Sequence, residues 1–280
     1  VEMAGPGFLN FRFSPGYYAD LVRAVVADGP RFGRRTLGED AATTVNVEFV
    51  SANPTGPLHV GAGRWAATGD AIAALLEASG HRVTREYYVN DAGEQVRTFG
   101  ESVVLVARGE ELGERHYRGA YVAEIVDALR AEHGDAVFTD DGGDDDVVAG
   151  GAEHRRVEGD HGDGALDDGE TAVASDDRVA PTTAARVGTL AVEAMRANIE
   201  STLHGMGVDY DVWFSERHGL HESGEVEAAV GALREAGETY EKDGALFLRT
   251  EQHGDDKDRV LVRSDGRPTY FAADCAYMRD

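Results

Sequence analysis

Residues 44–89 constrain what this chain can fold into more than any other stretch. Thr44–Val50 is apolar and β-branched, as a buried strand requires. The next ten residues, Ser51 to Val60, carry Pro54, Gly56, Pro57 and His59 and read as a wide loop. From about Gly63 to Ser79, Ala66, Ile72, Leu75 and Leu76 recur at helical spacing and should form a buried face, with Gly80 as the stop. Arg82–Val89 is a second strand, rich in β-branched and aromatic residues and broken by Asn90-Asp91-Ala92-Gly93. This order places an imidazole and bare backbone N–H groups at a helix N-terminus, where an anion is favoured.

The alternation continues, which predicts an α/β sheet. Helices are expected around Glu94–Arg108 and Arg118–His133, and again where Val192, Met195, Ile199, Leu203 and Met206 are helically spaced. Asp209–Phe214 reads as a strand, followed by a helix with Val226, Val230 and Leu233 and by hairpin-like turns at Asp243-Gly244 and Asp265-Gly266. Tyr87, Tyr88, Trp213 and Phe214 are expected in a strand core. Ahead of this block, Val1–Phe13 alternates as one apolar strand. A helix then runs from Pro15 to Ala27, with Leu21, Val22, Val25 and Val26 on one side. Residues 1–44 are read as the tail of an α+β domain whose start lies outside the chain, and the last residues before Asp280 as the first turns of a helix.

Composition narrows the function class. The single Cys275 excludes a disulfide framework or cysteine-based zinc cluster and suits a reducing cytoplasm. No early apolar run is long enough for secretion or membrane spanning. Net charge is −25, but residues 139–180 alone hold fourteen acidic residues against three arginines, a net of −11. The other 238 residues therefore carry −14, compatible with a local basic groove. The span 139–185 is taken as a flexible acidic insert, too poor in apolar residues to offset ordering entropy. Its aspartates do not match an EF-hand, and His218 and His221 have no evident third ligand, so no protein-held metal is expected.

Locally, the loop fits two chemistries or none. Gly61 and Gly63 let backbone approach a phosphate, and His59 can donate to developing negative charge. Arg64 or Trp65 could face a nucleotide too. Equally, Pro54, Gly56 and Pro57 can be turn residues and His59 a surface side chain. Gly61-Ala62-Gly63-Arg64-Trp65-Ala66, with Glu86 about twenty residues on, imitates an NAD fingerprint. That fingerprint places its first glycine directly after the strand, whereas Ser51 to Val60 intervene here, so a dehydrogenase is disfavoured.

Four blocks carry a resemblance to a known family: Val47–Gly63, Thr84–Gly93, Asp209–Glu216 and Gly254–Phe271. In this order they resemble the bacterial type of arginyl-tRNA synthetase, a class I aminoacyl-tRNA synthetase, over nearly the whole chain except the acidic insert. The resemblance implies a Rossmann-type nucleotide-binding catalytic domain with a parallel sheet at 45–280, after an N-terminal tRNA-contacting remnant and linker at 1–44. It implies ATP-dependent activation of arginine and its transfer to the 3′ end of tRNA(Arg), in the cytoplasm and as a monomer. Mg²⁺ would accompany ATP as its counter-ion, and activation would need the tRNA present.

By resemblance, Ala52-Asn53-Pro54-Thr55-Gly56-Pro57-Leu58-His59-Val60-Gly61-Ala62 is the HIGH-like motif. His59 and Gly61 are its catalytic members, and ATP meets His59, Gly61, Ala62 and Gly63. Arginine is recognised by Asp274 and Tyr270 with Glu48, while Ser51 and Asn53 hold its amino-acid end. Planar carboxylates suit a guanidinium because bidentate pairing supplies energy and geometry. Two departures stand out. Ala62 replaces the motif's second histidine, and the lysine-rich KMSKS-type loop, the Gly-Ala-Asp-His-His block and the anticodon-binding domain would all lie beyond Asp280. A non-catalytic fragment or paralogue that binds arginine, ATP or tRNA is therefore the competing expectation.

Overall fold

A computed structural model describes residues 1–38, 41–140 and 178–279. The chain divides into two compact units, one of Val1–Val47 with Asp70–Thr84, the other of Glu48–Gly69 with Arg85–Asp280.

In the first unit the opening segment is a hairpin, not one strand. β1 (Glu2–Ala4) pairs antiparallel with β2 (Phe8–Asn10), in the register Met3↔Leu9. Gly5 and Gly7, with φ of 56° and 121°, make the reversal that an uninterrupted alternating strand would not allow. α1 (Pro15–Asp28) begins with proline in its first turn and with Ser14 accepting from the Tyr17 N–H at 3.3 Å. Its apolar side is not covered among the described residues: Leu21, Val22, Val25 and Val26 are 38–77% exposed. Gly80, with φ 97°, is required sterically as well as conformationally, since a Cβ there would lie 2.8 Å from Leu37 and 3.0 Å from the Arg35 carbonyl oxygen.

The expected strand–helix–strand is present as β3 (Thr44–Glu48), α2 (Val60–Ala78) and β4 (Arg82–Val89). β5 (Val212–Ser215) adds to the far side of β4, giving the order β3-β4-β5. β4 and β5 run parallel, with Tyr87 opposite Trp213 and Tyr88 opposite Phe214. The fold is thus α/β with a parallel sheet, and its ligand-accepting edge should be the carboxyl ends of the strands.

α2 buries a different face from the one its large residues suggested. Ala62, Ala66 and Ala73 are fully buried, whereas Ile72 and Leu75 are 48% and 67% exposed. Gly69 continues the small-residue stripe, because a Cβ there would meet the Phe49 ring at 2.2 Å. Close approach of helix and chain, rather than hydrophobic bulk, decides which face turns inward.

Between β4 and β5 the second unit inserts three helices: α3 (Glu94–Arg108), α4 (Ala120–His133) and α5 (Pro181–Gly205). α3 and α5 meet backbone to backbone at Gly100 and Gly188; a Cβ at Gly100 would lie 2.0 Å from the Ala184 carbonyl oxygen. Phe99, Val103, Leu105, Val187, Ile199 and Leu203 fill the core around this crossing. Glu101, fully buried, is paired with Arg97 and Arg115. α5 begins at Pro181, with proline at its first position, so residues 181–185 are helix and not part of the acidic insert. Of that insert, residues 141–177 lie outside the described residues.

After β5 come a single π turn (Arg217–His221), α6 (Glu225–Glu235) and an antiparallel meander of β6 (Thr239–Lys242), β7 (Ala245–Leu248) and β8 (Arg259–Val262). α7 (Tyr270–Tyr277) packs through Ala272, Ala273 and Ala276 onto Leu220, Val226, Leu246 and Leu261. This second core fixes the helix that carries Tyr270 and Asp274. Among the described residues, no helix is long and apolar enough to cross a membrane.

Candidate active site

The candidate residues gather where β3, β4 and β5 end. At the end of β3 the backbone leaves the strand through Val50 and Ser51, whose φ values of 69° and 42° are uncommon for residues with a side chain. Such conformations cost on the order of 1–3 kcal/mol each and persist only where the surroundings hold them. Here Ser51 is held from both sides: its hydroxyl donates to Glu48 and accepts from the Tyr88 N–H at 3.1 Å. Two of the expected arginine-binding residues are thereby tied to β4. Asn53 is not part of that cluster; its amide donates to Gln95 of α3 at 2.7 Å.

The rest of the loop is anchored through backbone. Tyr87 donates to the Ala52 carbonyl at 2.9 Å and Tyr121 of α4 to the Thr55 carbonyl at 3.1 Å. Burial pushes the Tyr87 hydroxyl up to about 12, so it stays a donor throughout the working range. Pro54 and Thr55 are buried, as a load on the loop's inner side requires.

His59 caps α2. Its Nδ1 accepts from the Gly61 N–H at 3.0 Å and from the Ala62 N–H at 3.4 Å, while the Gly63 N–H reaches the His59 carbonyl at 3.2 Å. The bare N–H groups expected from the sequence are therefore already engaged. A neutral ring accepting at Nδ1 carries its hydrogen on Nε2, which leaves that atom as the donor for a ligand. Gly61 makes room for the ring: a Cβ there would lie 2.8 Å from His59 Cε1. Ala62, expected to meet ATP, is fully buried, so its side chain packs inward and offers no accessible surface. Gly63 faces only Met206, at an ordinary 3.5 Å from a built Cβ. Because Gly61 and Gly63 sit inside the first turn of α2, they do not form the tight strand-to-helix turn of a dinucleotide fingerprint.

On the other side, Tyr88 is ringed by acids. Burial, and after it the nearby charges of Glu216, Asp274 and Asp91, drive its pKa far upward. Burial first, and then the Glu216 charge, raise the Asp274 carboxyl above the usual carboxylate range. Glu216 is only 3% exposed. His221 lies 3.2 Å from it, and the His221 pKa rises because of that hydrogen bond. Tyr277 donates to Glu86, and Glu48 adds to the negative field on it. Tyr270 opens α7 with its hydroxyl beside Gly93, 3.5 Å from where a Cβ would stand. Asp91 is spent locally, accepting from Ser215 at 2.6 Å and from the Arg217 N–H at 2.8 Å.

Tyr88 thus joins what the sequence kept separate: its N–H holds Ser51 and through it Glu48, and its hydroxyl faces Glu216 and Asp274. Glu216 and Tyr277 were not singled out from the sequence, and Tyr88 was read only as strand core. Glu216 does close one of the similar blocks, and a glutamate directly after an apolar strand was the available signal. His218 and His221 face Glu222 and Glu216 respectively, not a common point.

Comparison with known proteins decides what this edge is related to. Residues 24–120 match the family profile described as the catalytic domain of class I (R) tRNA synthetases. An arginine–tRNA ligase of Frankia alni is 42% identical over 280 residues, all of this chain and 43% of that protein. Over its whole length the chain is similar to arginine–tRNA ligases. The arginine–tRNA ligase of Micrococcus luteus is 43% identical over 278 residues, 99% of this chain and 42% of that one. The chain therefore spans less than half the length of these curated relatives. Among solved structures, a Campylobacter jejuni protein described as an arginyl-tRNA synthetase superposes with a TM-score of 0.74 at 27% identity, covering 96% of this chain and 51% of its own. Arginyl-tRNA synthetase from Thermus thermophilus shares the fold, with a TM-score of 0.57 and 23% identity over 97% of this chain and 40% of its own.

Proposed function

We propose that this chain supplies the arginine-recognising and part of the ATP-binding surface of an arginine–tRNA ligase. In this reading residues 45–280 provide the catalytic part, 1–44 the tRNA-contacting part, and the enzyme acts as a cytoplasmic monomer. The observation that carries the reading is the carboxylate cluster at the strand ends. Burial and the Glu216 charge make Asp274 costly to ionise beside a half-buried tyrosine, and a guanidinium would relieve that cost.

His59 Nε2 is the donor toward the ATP phosphates, strengthening as charge develops during attack of the arginine carboxylate on the α-phosphorus. Tyr270, Asp274 and Glu216, aided by Glu48, take the guanidinium end, and Ser51 and Asn53 hold the amino-acid end. The loop 52–63 contains no acidic residue, so Mg²⁺ fits as an ion carried by the ATP phosphates and water rather than by the protein. The activated arginine then passes to the 3′ end of tRNA(Arg).

The test is arginine-dependent ATP–pyrophosphate exchange by the full-length protein with its tRNA. Exchange with arginine, and not with lysine or citrulline, supports the reading. Binding of arginine without exchange would support a non-catalytic paralogue instead.

A further inference from the structure

His59 is exposed, as is Val60 beside it at 94%, so little in the chain around it holds the imidazole in place. Two restraints exist. One is the cap at Nδ1, whose second hydrogen bond is long at 3.4 Å. The other is Trp65, whose ring meets the imidazole edge to face at 5.8 Å between centroids and an interplanar angle of 73°. Among the described ring contacts, Trp65 is the only partner of His59.

Core packing does not account for Trp65. The buried stripe of α2 runs through Ala62, Ala66 and Gly69, while Trp65 lies off it and is 47% exposed. A large amphipathic side chain kept half in water on the first turns of a helix has been placed against something. Its neighbour is the one group in the loop with a free donor toward a ligand. Ala62, buried where the motif's second histidine would stand, supports that ring only through its backbone N–H and not through its side chain.

We propose that Trp65 is a positioning residue for His59, holding the imidazole in its cap so that Nε2–H points steadily at the ATP phosphates. This rests on the ATP reading above. Without the indole, the exposed ring is free to leave the cap, and water replaces it on the Gly61 and Ala62 N–H groups. The Nε2–H tautomer then loses its advantage.

Two readouts separate this proposal from that reading. Long-range proton–nitrogen NMR on the full-length protein, at a pH where the ring is neutral, reports the His59 tautomer; its signal is assigned by its loss in His59→Gln. Calorimetry with MgATP reports affinity. The parent should show the Nε2–H form. Trp65→Ala should give a tautomer mixture and about 3- to 10-fold weaker MgATP binding, the span of an aromatic pair. Trp65→Phe should restore both, which loss of generic helix stability would not explain. An unchanged His59 tautomer in Trp65→Ala overturns the proposal, whether or not MgATP binds. Absence of MgATP binding by the parent overturns the ATP reading, and the tautomer alone then decides the role of Trp65.

Discussion

The two halves of the strand-end site are built on opposite principles. The His59 side is already satisfied: Nδ1, the Gly61 N–H and the Ala62 N–H pair with one another, leaving a single outward donor. The Tyr88 side is unsatisfied: burial and the Glu216 charge disfavour ionisation of Asp274, and among the described ion pairs only His221 meets Glu216. One half is ready before its ligand arrives, and the other is relieved by it. A neutral donor on a capped helix can wait in water at little cost, whereas a guanidinium is held tightly only where negative charge lacks another partner.

This contrast can be broken at either half. The largest effect is expected for His59→Ala, which should lower the exchange rate by about 100- to 1000-fold, the loss of one donor to a developing charge. Arginine affinity, measured by calorimetry, should stay within about twofold. Next come Asp274→Asn and Glu216→Gln, each expected to weaken arginine about 10- to 100-fold, as loss of a charged hydrogen bond does. Yet Asp274→Asn should leave the unliganded protein no less heat-stable, because a repulsion has been removed, whereas Glu216→Gln also gives up the pair with His221. If Asp274→Asn melts lower and still binds arginine normally, the cluster is structural and the contrast fails.

Gly61→Ala pushes a methyl into the His59 ring and should cost about tenfold in exchange with arginine binding intact. Gly63→Ala, with only Met206 at 3.5 Å, is the matched control and should change exchange by less than about twofold.

The smallest effect is with pH, and its sign differs between folding and binding. Asp274 and His221 both have raised pKa values, so each favours the folded state most at low pH and loses that contribution as pH rises through its folded pKa. The same titrations make the pocket more negative. Stability without ligand should therefore drift down from the carboxylate range through the imidazole range, while the thermal shift produced by arginine grows. Parallel pH profiles for the two would contradict the assignment.

Much of this was legible in the sequence where the physics is local. The strand, the proline-broken loop and the glycine stop at Gly80 need only neighbouring residues and are all present, although the strand ends at Glu48 and none of its residues is buried as expected. Legibility fails where contacts join distant segments. The inner face of α2 was assigned to Ala66, Ile72, Leu75 and Leu76; Ala66 is buried, but Ile72 and Leu75 are exposed because Phe49 turns the helix onto Gly69. The first strand became a hairpin because Gly5 and Gly7 outweigh an alternating pattern. Glu216 could not be placed beside Tyr88 without knowing that β4 and β5 pair in parallel across more than a hundred residues.

The contact between Phe49 and Gly69 also sets an order of events for any lineage carrying this site. Position 69 has no room even for a methyl while the Phe49 ring occupies it, at 2.2 Å from a built Cβ. Substitutions there must follow a change at 49, never precede it. Position 49 in turn directly precedes the left-handed Val50 and Ser51 that aim a hydroxyl at Glu48. Drift in a helix residue well outside the pocket is thus gated by a residue next to it, and engineering that begins at Gly69 will register first as a misplaced Ser51.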